Sequence, residues 1–492
     1  MERLHDACGI VGLYLQEHNK SIDVRNYLTL ALTALQHRGQ ESAGIAVYDE
    51  EGKIAHKVGM GKVREVFSDS GAGLPSTRCG IGHVRYSTTG SSCVENAGPF
   101  VVGTWRNHQV AIAVAHNGNL VNGDILRAQF APGLLNSTTD SEAIALLLLL
   151  ASGETLRERL IETLPLLKGA YSLVILAEGK LYAMRDPWGM RPLCLGQVGD
   201  NWMVASESCA LDRVGATFLR EIEPGELITI DAQGLHSEIL LKEPRHALCV
   251  FEYIYFSDAT SRLNNRYVYD VREQLGKELA REFPVEADLV IPVPDSSIPA
   301  ALGYSSASSI PYGHAIIKNR YADRTFIKPD QRLRQLEVDL KFNFVKPKID
   351  GARLVIVDDS IVRGNTMKRL VAALRHQGAK EIHLRSSSPP LRHPCYFGID
   401  IPREEELIAA GRSVQEVADY IGVDSLGYLS IAGLGRALSE VKSNTELDND
   451  TALASLHAEC CYGCMKTEGW PFDPSEPQLL TLKRNEKLMR VP

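Results

Sequence analysis

The chain of 492 residues has no long apolar run. Its longest, AIALLLLLA from Ala143, falls far short of the roughly 18 residues that span a bilayer, and it reads as a buried helix; no membrane association is expected. Charge of one sign is not blocked together either. The 53 Lys and Arg stand against 61 Asp and Glu, for a net charge of -8, which offers no polybasic surface to nucleic acid or an anionic membrane. The opening MERLHDA lacks the apolar core of a secretory signal, so a cytoplasmic protein is expected. No internal repeat or low-complexity tract is present. Cysteine, at ten, is not scarce. In a reducing compartment these thiols call for packing, catalysis or metal binding rather than disulfides. The length predicts two or three domains.

The first half is dense in strand signals. CGIVGLYL (8–15) reads as a buried strand, and DVRNYLTLALTALQHRG (23–39) as a helix with Leu28, Leu32 and Leu35 on one face and Gly39 as its stop. QVAIAVAHNGNL (109–120) reads as a strand running into an Asn-Gly turn. A capping box from Thr139 to Glu142 starts a helix that ends at Gly153. AYSLVILAEGKLYAMRD (170–186) is a hairpin turning at Glu178-Gly179-Lys180. These elements predict stacked antiparallel sheets flanked by helices. After the polar stretch HSEILLKEPRH (236–246) the rhythm becomes strand, helix, strand: ADLVIPVPDSS, ARLVIVDDSIVRGNT, a helix with Met367, Leu370, Val371 and Leu374 on one face and Gly378 closing it, then EIHLRSSSPP. That alternation predicts a parallel α/β sheet. The tail beyond about Glu440 is polar and expected to be irregular up to its cysteines.

In a parallel sheet, ligands bind beyond the carboxyl ends of the strands. LVIVDDSIVRGNT (354–366) places Asp358 and Asp359 at such an end, and Ser360 to Thr366 lead into a helix N-terminus, where backbone N–H groups and the helix dipole favour an anion. Gly364 permits close backbone approach, and Thr366 offers a cap and a hydroxyl. Two carboxylates beside a phosphate cradle suit a phosphorylated sugar. The stretch resembles the phosphoribosyl-diphosphate signature of type I phosphoribosyltransferases, with Asn365 where many members carry Thr. By that resemblance Asp358, Asp359, Ser360, Arg363, Gly364, Asn365 and Thr366 bind phosphoribosyl diphosphate. Asp295, Ser296 and Ser297 in PVPDSSIPAALGY take its diphosphate, and Mg2+ is held by Ser296, Asp358 and Asp359. KNRYADRTFIKPDQRLRQLEVDLKFNF (318–344) resembles the flap that closes over the activated sugar, with Lys318, Arg320 and Lys341 as its cationic contacts.

Near the start, Cys8 is followed in order by QHRGQESAGIA (36–46), IGHVRYSTTGSS (81–92), AHNGNL (115–120) and TTDSEA (138–143). These motifs resemble class II glutamine amidotransferases, whose fold is the αββα sandwich of N-terminal-nucleophile hydrolases. The resemblance implies Cys8 as nucleophile and an oxyanion hole from Asn117 and the Gly118 N–H. It gives Arg85 to the glutamine carboxylate, Asp140 to its ammonium, and Arg38 to ordering the site. A side-chain amide attacked by a thiolate develops an oxyanion, and a zwitterion needs one fixed charge of each sign. An α-amino group, of pKa about 7.7–8.0, is a suitable base. Residues 1–7 are therefore expected to be a propeptide, shorter than is usual in the cluster-bearing members.

Cys249, Cys395, Cys461 and Cys464 remain, the last two as a CxxC. Spacing alone leaves zinc and an iron–sulfur cluster both open. Cys79, Cys93, Cys194 and Cys209 read as small apolar residues in strands, and Cys460 is an ambiguous neighbour of Cys461. The contexts CVFEYIYF (249–256) and HPCYFGID (393–400) are similar to cluster-ligand contexts in the iron–sulfur branch of the amidophosphoribosyltransferase family. That likeness runs from Cys8 to about Pro471 and implies one structural [4Fe–4S] cluster per subunit, one Mg2+ per subunit, and the organisation 1–7 propeptide, 8–240 amidotransferase, 241–440 phosphoribosyltransferase and 441–492 cluster tail. It implies that glutamine hydrolysed at Cys8 supplies ammonia, through an internal channel, to phosphoribosyl diphosphate, giving phosphoribosylamine, glutamate and diphosphate at the first committed step of purine biosynthesis. Purine-nucleotide feedback and a homotetramer are likewise implied. Two alternatives stay open: another class II glutamine amidotransferase, or a regulatory phosphoribosyl-diphosphate-binding protein with an inactive glutaminase.

Overall fold

The computed structural model describes residues 8–16, 23–49, 51–68, 73–75, 77–86, 91–103, 111–319, 342–401, 403–439 and 447–474. Gly9–Tyr14 lies in the middle of a seven-stranded antiparallel sheet, between Asn201–Ala205 and Cys79–Arg85. A six-stranded antiparallel sheet, with Ile112–Leu120 and Gly169–Ala177 as neighbours, stacks on it. Side chains alternate as strand geometry requires. Ile10 and Tyr14 enter the inter-sheet core with Ala113, Val174 and Val204, whereas Val11, Leu13 and Leu15 face Leu28 and Leu32 of the helix Val24–Ala34. On the far side, Asp140–Leu150 and Leu156–Thr163 cover the second sheet. Helix, sheet, sheet, helix is the αββα sandwich.

The second half is built on four parallel strands, Leu289–Pro292, Arg353–Asp358, Glu381–Ser386 and Ser425–Tyr428, hydrogen-bonded in that order. Tyr312 adds a parallel bridge to Val290 on the outer side of the first strand. In chain order this is a 2-1-3-4-5 arrangement, so its topological switch point lies between Leu289–Pro292 and Arg353–Asp358. The ligand-bearing crevice of such a sheet opens there, at the loops after Pro292 and after Asp358. Val290, Val355 and Val357 face one core and Ile291, Leu354 and Ile356 the other, so both faces of the sheet are buried. Met367, Leu370, Val371 and Leu374 form the buried face of the helix Asn365–His376.

Five local expectations are corrected. The Asn117-Gly118 pair is not a turn: the strand continues to Leu120, paired residue by residue with Gly169–Ala177, and Gly118 meets this partner at φ +147°. The first helix ends at Ala34, and Gly39 has another task. A Cβ there would lie 2.6 Å from the Arg85 nitrogen, so its absence lets the two segments touch. Thr139 caps its helix alone, because Glu142 turns its carboxylate to the N–H groups of Asn136 and Ser137. The tail holds a helix, Asn449–Glu459, whose Ala452 carbonyl seats against Gly435. Cys209 sits on a short helix and half-buried Cys93 precedes a 3-10 turn; neither is in a strand.

The helices Val268–Glu282 and Ile298–Ser308 touch backbone to backbone. A Cβ on Gly276 would overlap the carbonyl of Ala300, and one on Gly303 the carbonyl of Glu273. Gly276→Ala is expected to destabilise the protein by about 3 kcal/mol, the upper range for overpacking, because the clash is with main chain and cannot relax by a rotamer change. Chemical denaturation would read it; an unchanged midpoint would mean that the helix pair is looser than its geometry.

Candidate active sites

Cys8 immediately precedes the central strand, and the pairing of Gly9 with Val84 sets it beside Arg85 and Tyr86. Its Sγ lies 3.9 Å from the Tyr86 carbonyl. Burial pushes the thiol up from its usual range, against the pull of Arg85 and His116, so at neutral pH it is protonated and needs a base. Arg85 is buried, with Glu41 3.7 Å away. His83, kept neutral with a pKa near 4 by burial and by Arg85, bonds the His116 carbonyl at 3.2 Å and links the two sheets at this point.

The next residue, Asn117, is fully buried, and neither its amide nitrogen nor its oxygen has a hydrogen-bond partner among the described residues. An unsatisfied buried amide costs about 1–3 kcal/mol, so a donor held this way is a functional candidate. Gly118 follows in a backbone conformation that side chains rarely adopt, and a Cβ would collide with the Ala170 carbonyl. Two residues further, the Leu120 N–H donates to Asp140 at 2.9 Å, with His116 3.7 Å from the same carboxylate. Burial works against ionisation of Asp140, but His116 and the Leu120 N–H outweigh it and hold the carboxyl below its ordinary range. It is therefore an anion wherever an ammonium would be bound.

Arg38 is buried on the other side of Cys8. Its Nε donates to the Cys8 carbonyl at 3.3 Å, and its other nitrogens donate to Glu207 at 2.6 Å and to Glu252 at 2.9 and 3.0 Å. Glu252 belongs to the second half, so the two halves meet in a buried ion network next to the thiol. The sequence motifs contain Arg38 but did not single out Glu207, Glu252, Arg191 or His116.

At the switch point the two loops interlock. Ser296 donates to Asp359 at 2.6 Å, Ser297 to Asp358 at 3.3 Å, and Ser360 to Asp359 at 3.0 Å. Lys318 pairs with Asp295 at 2.7 Å, from a short ribbon in which Ile316–Lys318 pairs with Phe342–Phe344. Gly364 takes φ +77° at the start of the helix, where a Cβ would run into Ile408. Asn365 accepts a hydrogen bond from Tyr420 at 2.7 Å, and Thr366 stands beside it in the first turn. Arg363 is turned outward onto Glu406 at 2.9 Å. Arg320 and Lys341, with the flap between them, lie outside the described residues, as do residues 1–7.

Cys249, Cys395, Cys461 and Cys464 line one small cavity with Met190, Arg191, Phe397, Ile399 and Trp470. A parallel pairing of Leu248–Cys249 with Cys460–Cys461 brings the tail there, and Cys460 is not among the lining residues. Burial raises the thiols of Cys249, Cys461 and Cys464, Cys461 to about 12, while backbone N–H groups at Gly463 and Met465 act on Cys461 and Cys464 in the opposite sense. The Phe397 N–H donates to Cys395 Sγ at 3.4 Å. Among the described residues no three His, Cys, Asp or Glu side chains converge closely enough for a single metal ion. Four thiols lining one apolar cavity are a donor set whose chemistry suits a thiolate-held metal group.

A buried thiol at the head of the central strand of an αββα sandwich, joined to an acid-tipped loop on a parallel sheet, defines a glutamine amidotransferase fused to a phosphoribosyltransferase. Residues 98–213 match the family model of a glutamine amidotransferase domain, and residues 260–387 that of a phosphoribosyl transferase domain. The chain is 47% identical over 438 residues to the amidophosphoribosyltransferase of Archaeoglobus fulgidus, covering 88% of this chain and 93% of the relative. It is 44% identical over 433 residues to that of Bacillus subtilis, covering 88% and 89%. The structure superposes on the glutamine phosphoribosylpyrophosphate amidotransferase of B. subtilis, solved with ADP and GMP, with a TM-score of 0.84 and 41% identity, over 94% of this chain and 96% of that one. The chain belongs to the amidophosphoribosyltransferase family, and it is an enzyme. A match over both halves removes the alternative of another class II glutamine amidotransferase, which would share only the first. Among the described residues, no helix is long and apolar enough to cross a membrane.

Proposed function

We propose that the protein makes 5-phosphoribosylamine from glutamine, phosphoribosyl diphosphate and water. The observation that carries the glutaminase half is the buried Asn117 amide, without a partner among the described residues, one residue before Gly118. A preorganised donor of this kind stabilises an oxyanion without reorganising. Cys8 attacks the glutamine side-chain amide, with Arg85 and Asp140 holding the carboxylate and ammonium of the substrate, and a thioester forms as ammonia leaves. Because the buried thiol is protonated at neutral pH, an α-amino group on Cys8, exposed by removal of residues 1–7, serves as base. Water then releases glutamate.

Ammonia passes internally to the phosphoribosyl site, because in water it would be trapped as ammonium. There Asp358 and Asp359 hold the ribose hydroxyls and the loop Ser360–Thr366 the 5-phosphate. Asp295, Ser296 and Ser297 would take the diphosphate with Lys318; by their place in the sequence Arg320 and Lys341 would add charge, and Arg363 would do so on leaving Glu406. Mg2+ makes few protein bonds when a diphosphate supplies the rest, so Ser296, Asp358 and Asp359 are sufficient to hold it. When bound, it neutralises charge on the departing diphosphate. Cys249, Cys395, Cys461 and Cys464 hold a [4Fe–4S] cluster that pins the tail to the transferase core. Feedback by purine nucleotides, a homotetramer and a cytoplasmic location complete the reading; the B. subtilis neighbour was solved with ADP and GMP.

Mass spectrometry of the purified protein after treatment with a glutamine-analogue alkylator tests the nucleophile. The expected result is a chain beginning at Cys8 with the label on that residue; a retained leader or a label elsewhere overturns it. The cluster predicts brown protein with broad absorbance near 400 nm (roughly the thiolate-to-iron charge-transfer region), abolished by Cys249→Ser. Colourless protein containing zinc would contradict it.

A further inference from the structure

Glu252 is fully buried, yet it is not in either site. It opens a single π-helical turn, Glu252–Phe256, in the second half of the chain. Its carboxylate accepts from Arg38 twice, from Arg191 at 3.3 Å and from Ser257 Oγ at 2.6 Å. Arg38 in turn holds the Cys8 carbonyl. Glu207 fastens the same segment from the glutaminase side, accepting from the Asp258 N–H at 2.8 Å and from Ser261 Oγ at 2.6 Å.

The opposite side of the turn is held by Arg272, which donates to the carbonyls of Tyr253 at 2.8 Å and Ser257 at 2.7 Å. Arg272 is on the helix Val268–Glu282, and that helix touches Ile298–Ser308 through Gly276 and Gly303, main chain against main chain. Ile298–Ser308 starts directly after Asp295, Ser296 and Ser297. Contacts therefore run without a break from the diphosphate loop to the carbonyl of the nucleophile, and Glu252 crosses from one half to the other at the Arg38 guanidinium that holds that carbonyl. π-helical turns are rare overall and frequent at functional positions.

We propose that Glu252 is a positioning residue for glutamine hydrolysis, and one through which a filled phosphoribosyl site acts on Cys8 by way of Arg38. The inference rests on the two-site reading above. With its carboxylate engaged, Arg38 fixes the Cys8 backbone; displacement of the turn moves Arg38 and misplaces the thiol. Misplacement by about 1 Å can cost roughly 100-fold in rate.

The test compares wild type, Glu252→Gln and Ser257→Ala as full chains. Three rates are measured for each: glutamine hydrolysis without phosphoribosyl diphosphate, the same hydrolysis with it, and synthesis of phosphoribosylamine from ammonium. For Glu252→Gln the inference predicts unchanged ammonium-driven synthesis and loss of the stimulation by phosphoribosyl diphosphate. It also predicts a fall of roughly 10- to 100-fold in kcat for glutamine at little-changed KM. Ser257→Ala removes one hydrogen bond and keeps the ion pair, so it is expected to show the same pattern weakly. Should Glu252→Gln lose ammonium-driven synthesis as well, it is not folded, and Ser257→Ala decides. Full stimulation in a folded Glu252→Gln, no change in Ser257→Ala where that variant decides, or a wild-type glutaminase indifferent to phosphoribosyl diphosphate overturns the inference. Failure of the wild type to make phosphoribosylamine from any nitrogen source would overturn the two-site reading instead.

Discussion

Cys8→Ala is expected to abolish glutamine hydrolysis and glutamine-driven synthesis, by four or more orders of magnitude (roughly the loss on removing an attacking side chain), while synthesis from ammonium continues. The asymmetry follows from the architecture. Cys8 precedes the central strand of the sandwich, whereas the phosphoribosyl loops lie at the switch point of a separate parallel sheet. Removing the small thiol leaves the strand Gly9–Tyr14 and its pairing with Cys79–Arg85 intact. A Cys8→Ser variant sharpens the result. Its hydroxyl keeps the shape but is far harder to ionise than a thiol, and the rate should remain at background. Equal loss of ammonium-driven synthesis would mean that Cys8 supports the fold rather than the chemistry.

Asp359→Asn should do the converse. It removes an anion that both Ser296 and Ser360 engage, at the loop where a ribose and its cation are to be held. Synthesis from either nitrogen source is expected to fall about 100- to 1000-fold, the usual effect of deleting one preorganised electrostatic contact. Basal glutamine hydrolysis persists, without its stimulation. Since Asn matches Asp in shape and the carboxylate is not the only anchor of the loop, the thermal midpoint should move little. Steady-state rates with glutamine and with ammonium, measured side by side on both variants, make the comparison decisive.

Much of this was legible in the residues themselves. The apolar run CGIVGLYL and the face formed by Met367, Leu370, Val371 and Leu374 are local patterns, and they read directly. The motif that carries Asp358 and Asp359 is contiguous, so its chemistry was visible before its place in the sheet. What stayed hidden is what the chain assembles from distant pieces. Asn117-Gly118 has the sequence of a turn and becomes strand because Gly169–Ala177 pairs with it. Ser425–Tyr428 has only four residues, too few to show a period, and becomes a strand by joining Glu381–Ser386. Glu252 was in plain view within CVFEYIYF, but nothing local tells a buried glutamate from a solvated one. Its meaning comes from Arg38, 214 residues earlier in the chain.

The account depends on ammonia moving from one site to the other inside a single protein. The most direct measurement supplies glutamine labelled with 15N in its amide, together with phosphoribosyl diphosphate and an excess of unlabelled ammonium, and follows the nitrogen into trapped phosphoribosylamine. Product carrying 15N in nearly every molecule, whatever the ammonium concentration, is the predicted result. Label diluted in proportion to the bulk ammonium would show that the two sites work independently, and would contradict the account.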